Sequence, residues 1–342
     1  MKISELNKRR IANFKANRRG YYSFIIFLIM FTITLFAEFI ANDKPILVKY
    51  NNSYYSPVFK SYPETVFGGS FDTETDYRDT FISDEINKHG WVKWPLIEFS
   101  YDTINFALAE SHPAHPNKQN LLGTDDRGRD VLTRVIYGFR ISVLFAIALV
   151  IPSSLIGIIA GVIQGYYGGF IDLFFQRFME VWGSVPTLFL LLVLCSLIQP
   201  NFWILLLFML LFSWMGLVGL VRAEVLKVRN FDYVMAARSL GVPEWKIMFR
   251  HILPNSLVST ITYMPFIMSA SITTLTSLDF LGFGMPSGSA SLGEILSQAK
   301  ANLQAPWLGL TAFFVTSFIL SLLVFIGEGI RDAFAIKNVF RN

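Results

Sequence analysis

Residues Tyr233–Pro254, YVMAARSLGVPEWKIMFRHILP, stand as a polar stretch between two long apolar runs. Met235 to Leu240 are good helix formers, and Gly241 interrupts them. Pro243 suits the first position of a new helix, and Glu244 complements that helix's positive end. Lys246, Arg250 and His251 crowd towards its negative end, and Pro254 then stops it. The pattern predicts two short helices set at an angle about Gly241. Ala236 and Ala237 are small enough to enter a groove on another protein, while Trp245, Ile247, Met248, Phe249 and Ile252 would anchor the second helix to the rest of the chain. A plainer alternative is an amphipathic helix lying on a membrane surface.

The flanking runs set the class of protein. The chain has 342 residues, 53% hydrophobic and only 16% charged, whereas a soluble domain carries about a quarter charged residues. Apolar runs near the roughly 20 residues needed to cross a hydrocarbon core recur along it. The expected fold class is therefore an all-α polytopic membrane protein with the lipid bilayer as solvent. The net charge of +4 comes from basic residues beside the apolar runs and forms no groove, so no nucleic-acid partner is expected. The single cysteine, Cys195, lies inside an apolar run and has no ligand-spaced partner, as befits a buried inert thiol.

Residues 1–41 read as a cytoplasmic N-terminus and a first membrane helix. Met1 to Gly20 carries seven Lys/Arg against one acid, Glu5, and an apolar run from Tyr21 to about Ala41 follows. Its length and the lack of a small-x-small cleavage site favour an uncleaved helix over a signal peptide. Further spans are expected at about Ile141–Gln164, Ile171–Leu197, Phe202–Val221, Ser256–Asp279 and Gly309–Ile326. Arg222, Lys227, Arg229, Arg238, Lys246 and Arg250 follow the fourth span, so the loop 222–255 falls on the positive, cytoplasmic side. Six spans put both termini there, with 141–330 as a five-helix core and 331–342 as a tail.

Residues 42–140 are polar, with 14 acids and 11 bases, and read as a periplasmic loop. Ile46–Tyr50 and Tyr54–Phe59 flank Asn51-Asn52-Ser53 in a hairpin pattern. Trp91, Trp94 and many Tyr and Phe residues supply apolar surface for a small β-containing cap; the alternative is a merely decorative insertion. In Asp125-Asp126-Arg127-Gly128-Arg129-Asp130, paired charges are favoured over a carboxylate metal site, and His112 and His115 read as loop residues.

Within the spans, Ser153, Gly157, Gly161 and Gly165 repeat every four residues, a smooth face for close helix approach. Pro152 should kink that helix, and the glycines of Gly165-Tyr166-Tyr167-Gly168-Gly169 should form a tight turn. Arg177 and Glu180 are three apart and can pair at a helix end; the sharper reading places Glu180 on a transport pathway or a moving neighbour. Pro186 should bend the third span. Thr262, Ser269, Thr273 and Thr276 share one helical face, which suits either a polar pathway or interhelical packing. Asp279 is either a gate or substrate-amine contact, or an acid at headgroup level. Met285 to Leu308 reads as an outer loop, with Trp307 as an interface aromatic.

The opening stretch resembles the coupling loop of ABC-importer permeases, which runs Glu-Ala-Ala, three residues, Gly, nine residues, then hydrophobic-x-Leu-Pro. Ala236, Ala237, Gly241, His251, Leu253 and Pro254 fall in register, and Met235 stands where the pattern has Glu. Leu122 to Leu132, Ile136-Tyr137-Gly138 and Gly327 to Ala333 also look like segments of the dipeptide/oligopeptide permeases of the second-subunit type, although the usual Asp-Pro near the end is absent. The enlarged loop, Asp279 in place of the usual Ser, and the Phe283-Gly284-Met285-Pro286 run look most like the Yej-type branch.

That resemblance implies a type I ABC-importer permease fold in a bacterial inner membrane. It implies a cytoplasmic ABC ATPase gripping Met235, Ala236, Ala237, Arg238, Gly241, Val242, Pro243 and Glu244. A second, homologous permease and a periplasmic peptide-binding protein would complete the complex. The implied cargo is oligopeptides, extending in the Yej-type branch to peptide antibiotics of the microcin C kind. ATP and Mg would belong to the ATPase, because this sequence has no Gly-x4-Gly-Lys-Ser/Thr loop and no Ser/His/Asp or Cys/His arrangement placed for covalent catalysis. A non-catalytic subunit with no cofactor of its own is expected. The competing class is an ion-coupled secondary carrier using Glu180 and Asp279, but no inverted repeat with broken helices is visible.

Overall fold

The basic start becomes a helix in its own right. A computed structural model describes residues 5–334 apart from 109 and 287; Lys2 and positions 335–342 of the expected tail lie outside the described residues. Helix α1 (Glu5–Ala16) precedes α2 (Arg18–Leu35), which carries the first apolar run, and α3 (Ala37–Ile40) finishes it. The loop that follows folds. Strand β1 (Leu47–Tyr50) pairs antiparallel with β2 (Ser53–Tyr55) across Asn51 and Asn52, whose φ values of 46° and 63° are those a two-residue hairpin turn requires. Helix α4 (Thr80–His89) is capped by the Asp79 carboxylate, which accepts from the Phe81 and Ile82 N–H groups. It leads into β3 (Gly90–Lys93), which completes the sheet order β2-β1-β3.

The remaining elements are helical. Helix α5 (Val131–Tyr167) begins well before the expected Ile141, because the Asp130 carboxylate accepts the Thr133 N–H at 2.7 Å and starts the helix outside the apolar run. The run ends at Gly168 and Gly169, both left-handed, where the turn was expected. The third span is broken: α6 (Gly169–Gly183) and α7 (Thr187–Leu197) meet at 59° across a break containing Pro186. The fourth is α8 (Phe202–Ser213) followed directly by α9 (Met215–Val228). Next come α10 (Asp232–Ser239), α11 (Glu244–Ile247), a π-helical stretch (Met248–Ile252) and α12 (Leu253–Phe280). The expected outer loop contains a further helix, α13 (Leu292–Ala301), because the Ser291 hydroxyl caps the Gly293 and Glu294 N–H groups. Helix α14 (Pro306–Phe334) extends beyond the expected Ile326 into the segment assigned to the tail.

Pro254 does not stop the second helix of the opening stretch. The Leu253 N–H bonds back to the Met248 carbonyl, five residues earlier, so the π stretch shifts the register. Pro254 then falls in the first turn of α12, where a missing N–H costs nothing. Helix thus continues from Glu244 to Phe280. Among the described residues, five helical segments are long and apolar enough to cross a membrane, or six if α6 and α7 count as one bent span.

The chain divides into two compact units. The described parts of Met1–Ile29, Ser142–Pro286 and Thr316–Asn342 form the first; Met30–Ile141 and Ser287–Val315 form the second. In the first, the glycine face of α5 lies against α9. A Cβ added at Gly157 would sit 2.9 Å from the Trp214 carbonyl oxygen, one at Gly161 2.9 Å from that of Val218, and one at Gly165 2.9 Å from that of Arg222. In the second, Val48, Tyr50, Phe67, Tyr77, Ile82 and Ile86 form a core with the small sheet, within the stretch where a β-containing cap is expected.

The charge-rich segment at the start of α5 is a buried network within the second unit. The Arg129 guanidinium meets Asp125 at 2.7 Å and Glu294 at 3.2 Å. Fully buried Arg134 meets Glu294 at 2.8 Å and donates to the Ser289 and Tyr101 carbonyls. Burial raises the Asp126 carboxyl, with Asp125 adding to it, and burial raises Asp130 as well. Asp125 is thus paired with Arg129, as the charge pattern led one to expect, while Asp130 accepts from the Asn120 amide and the Thr133 N–H.

Candidate functional site

The opening stretch folds as a compact surface built on α9, α10, α11 and the π stretch. Gly241 has φ +74°, the left-handed conformation that lets α10 end and the chain turn sharply; the Val242 N–H bonds back to Ala237 O at 3.1 Å. Pro243 then precedes α11. Tyr233 closes the stretch on itself, accepting from Asn255 Nδ2 at 2.7 Å and donating to His251 O at 3.4 Å.

The inner side of this surface is continuous with the core of the first unit. Val234, Ala237, Ile247 and Ile252 are buried with Val162, Tyr166, Leu217, Val221, Val225 and Val228, and Val242 and Met248 pack on the same cluster. The methyl of Ala237 is therefore part of the chain's own core and is not presented to a groove elsewhere; helical periodicity turns it inward beside Val234. Trp245 and Phe249 do the opposite. They were expected to anchor the helix, yet they are 62% and 61% exposed, since Ile247 and Ile252 take the inward positions. The outer side joins Met235, Ala236, Arg238, Leu240, Gly241, Pro243, Glu244 and Trp245, with Leu240 82% exposed. Large apolar groups held outward on a rigid base form a surface suited to another protein.

Three arginines tie this surface to the α5–α6 turn. Arg222 grips Asp172 in a two-pronged pair at 2.6 Å and 2.6 Å, with Asp172 largely buried in the first turn of α6. Arg229 donates to Gly165 O at 2.8 Å and caps the end of α5. The Arg238 guanidinium lies 5.4 Å from the Tyr166 ring centre, a cation–π distance. In the sequence, Arg222 and Arg229 signal only the orientation of the loop. Their partners lie 50 and 64 positions away, and no short-range pattern announces such pairs.

The other candidate residues fall elsewhere in the first unit. Arg177 and Glu180 pair at 2.5 Å on α6, both exposed. Thr262, Ser269 and Thr273 donate to the carbonyls of Val258, Pro265 and Ser269 on their own helix, α12, and Thr276 is buried. Asp279 closes α12: its carboxylate accepts the Met285 N–H at 2.7 Å and holds the Gly282–Pro286 turn. The Cys195 thiol donates to Phe283 O at 3.3 Å, beside that same turn.

Residues 153–337, which contain this surface, match the family described as binding-protein-dependent transport system inner membrane component. The chain belongs to that family. Two relatives match nearly end to end. The peptidoglycan transport system permease protein YejE of Agrobacterium fabrum is 56% identical over 363 aligned positions, covering 99% of this chain and 95% of the relative. The inner membrane ABC transporter permease protein YejE of Escherichia coli is 55% identical over 333 positions, covering 97% and 98%. The oligopeptide transport system permease protein OppC of Lactococcus lactis is 35% identical over 240 positions, covering 69% of this chain and 81% of the relative. The resemblance carried by Ala236, Ala237, Gly241 and Pro254 holds across the chain. Like its family, this inner-membrane transport component is a multi-pass membrane protein and a permease component.

Proposed function

We propose that this chain is the permease subunit of a peptide importer, and that a separate cytoplasmic ATPase drives it through the outer side of α10 and α11. A single observation carries the reading: Met235, Leu240 and Trp245 project outward from a turn whose inner side is fused to the core of α5, α9 and α12. A pull on such a surface moves the spans as a body. ATP and Mg are the partner's, and a second permease and a peptide-binding protein complete the complex, as membership of a binding-protein-dependent family supports. On this reading α1 and the end of α14, joined by the contact between Asn17 and Asp332 at 2.8 Å, face the ATPase side.

The cargo is peptide-bearing. The relatives' names speak of oligopeptide and peptidoglycan transport, and the near end-to-end match to the Yej permeases favours microcin-like peptides and peptidoglycan-derived peptides over dipeptides alone. A cell relying on this permease should become sensitive to microcin C and should take up labelled peptidoglycan peptides. Loss of neither trait on deleting the gene contradicts the cargo.

The coupling role has its own test. A Cβ at Gly241 meets nothing within 4 Å, so Gly241→Val acts through the backbone angle and not through a clash. It should leave the protein inserted and assembled while ATP hydrolysis no longer yields uptake. Unchanged coupling in that variant overturns the assignment. An ion-coupled carrier finds no support at its two acids, since Glu180 is neutralised by Arg177 and Asp279 holds a turn.

A further inference from the structure

The N-terminal helix α1 has two different sides, and neither is needed by the surface already described. Its inner side is a stripe at spacings of four, three and three: Arg10, Phe14, Asn17 and, in α2, Gly20. Each of the four meets the end of α14. The Arg10 guanidinium lies 4.5 Å from the Phe334 ring centre, and Asn17 Nδ2 donates to Asp332 at 2.8 Å. A Cβ on Gly329 would come 3.1 Å from the Phe14 ring, and one on Gly20 would come 2.8 Å from the Gly329 Cα. The helix is thus fixed to the bundle along one edge.

The outer side carries charge. Lys15, Arg18 and Arg19 are exposed, and the salt bridges found among the described residues include none of the three. Asn17 alone separates α1 from α2, so these cations sit at the mouth of the first span. Lys15 precedes Tyr21, where the apolar run begins, by six residues, about 9 Å at the helical rise. That is about the Debye length at physiological salt, within which a charged bilayer surface is felt. The complement to three cations held at that depth is a layer of phosphodiesters.

We propose that Lys15, Arg18 and Arg19 form a binding surface for the headgroups of anionic phospholipids, and that the Arg10–Phe14–Asn17–Gly20 stripe passes this contact to α14. Lipid charge then tunes the activity of the complex. Headgroup binding stands on this chain alone, whereas the tuning rests on the transport reading above. Three surface cations lost together should weaken attachment to an anionic surface roughly a hundredfold.

The test uses the assembled complex in vesicles of phosphatidylcholine alone or of an equimolar mixture with phosphatidylglycerol. Two quantities are read: phosphatidylglycerol retained through purification, and cargo-stimulated ATP hydrolysis. The wild type should retain phosphatidylglycerol and run several-fold faster in the mixture. The triple variant Lys15→Gln, Arg18→Gln, Arg19→Gln, with its orientation verified by protease protection, should lose both effects. Asn17→Leu should retain phosphatidylglycerol yet lose the rate response. Equal retention by the triple variant and the wild type overturns the binding surface. If the triple variant instead sheds the ATPase in both lipids, the cations contact that protein and the proposal fails. If cargo stimulates ATP hydrolysis by the wild type equally in both lipids, the tuning fails while the transport reading stands.

Discussion

Gly161 shows how one residue can set a packing distance. Its α carbon faces α9 so closely that an added Cβ would lie 2.7 Å from that of Val221 and 2.9 Å from the Val218 carbonyl. Gly161→Val should therefore force the helices apart and cost about 1–3 kcal/mol, the usual range for overpacking. Gly219, on α9, has open space where its Cβ would be, so Gly219→Val serves as the matched control. The thermal midpoint in detergent should fall for the first and barely move for the second; equal shifts would refute the seam. This face was legible in the sequence because four small residues at a period of four have few other uses. Ala237 was not legible in the same way. Both alanines of the pair look alike on paper, and only the identity of the core beneath α10 decides which one turns inward. Trp245 and Phe249 misled for the mirror reason: large apolar residues normally seek burial, but Ile247 and Ile252 already occupied the inner positions.

At the scale of elements, the α5–α6 turn is held by groups that lie far away in sequence. Asp172 is largely buried, and its two-pronged pair with Arg222 joins the first turn of α6 to α9, shortly before the outward surface of α10 and α11. Removing one partner leaves a charge without compensation, at a cost of about 3 kcal/mol or more; removing both is milder. Asp172→Leu should therefore lower the thermal midpoint and transport more than the double variant Asp172→Leu, Arg222→Met does. If the double variant is worse than the single, the pair is not what holds the turn. The element boundaries read from composition erred where polar chemistry extends a helix past its apolar run. Asp130 starts α5 early, Ser291 starts α13 inside an expected loop, and the π stretch carries helix through Pro254. Five of the apolar spans and the hairpin were legible because they rest on hydrophobic length and on turn residues with few alternatives, such as Asn51-Asn52; the third span, bent at 59°, was not legible as one crossing.

At the scale of the whole molecule, the chain is a permease component, and the central proposal is that force enters at the outer side of α10 and α11. Met235 in place of the usual Glu makes this surface more apolar, so shape and desolvation carry more of the contact than charge. Photo-cross-linking tests it most directly. A photoreactive side chain at Leu240, the most exposed large apolar residue of the surface, is placed in the purified complex, with Phe313 on α14 as an exposed control site. Adducts from position 240 should form with the ATPase subunit, with a yield that changes between nucleotide-free and ATP-bound states, while position 313 gives none. Adducts from position 240 with lipid alone, or none with the ATPase in either state, would contradict the claim.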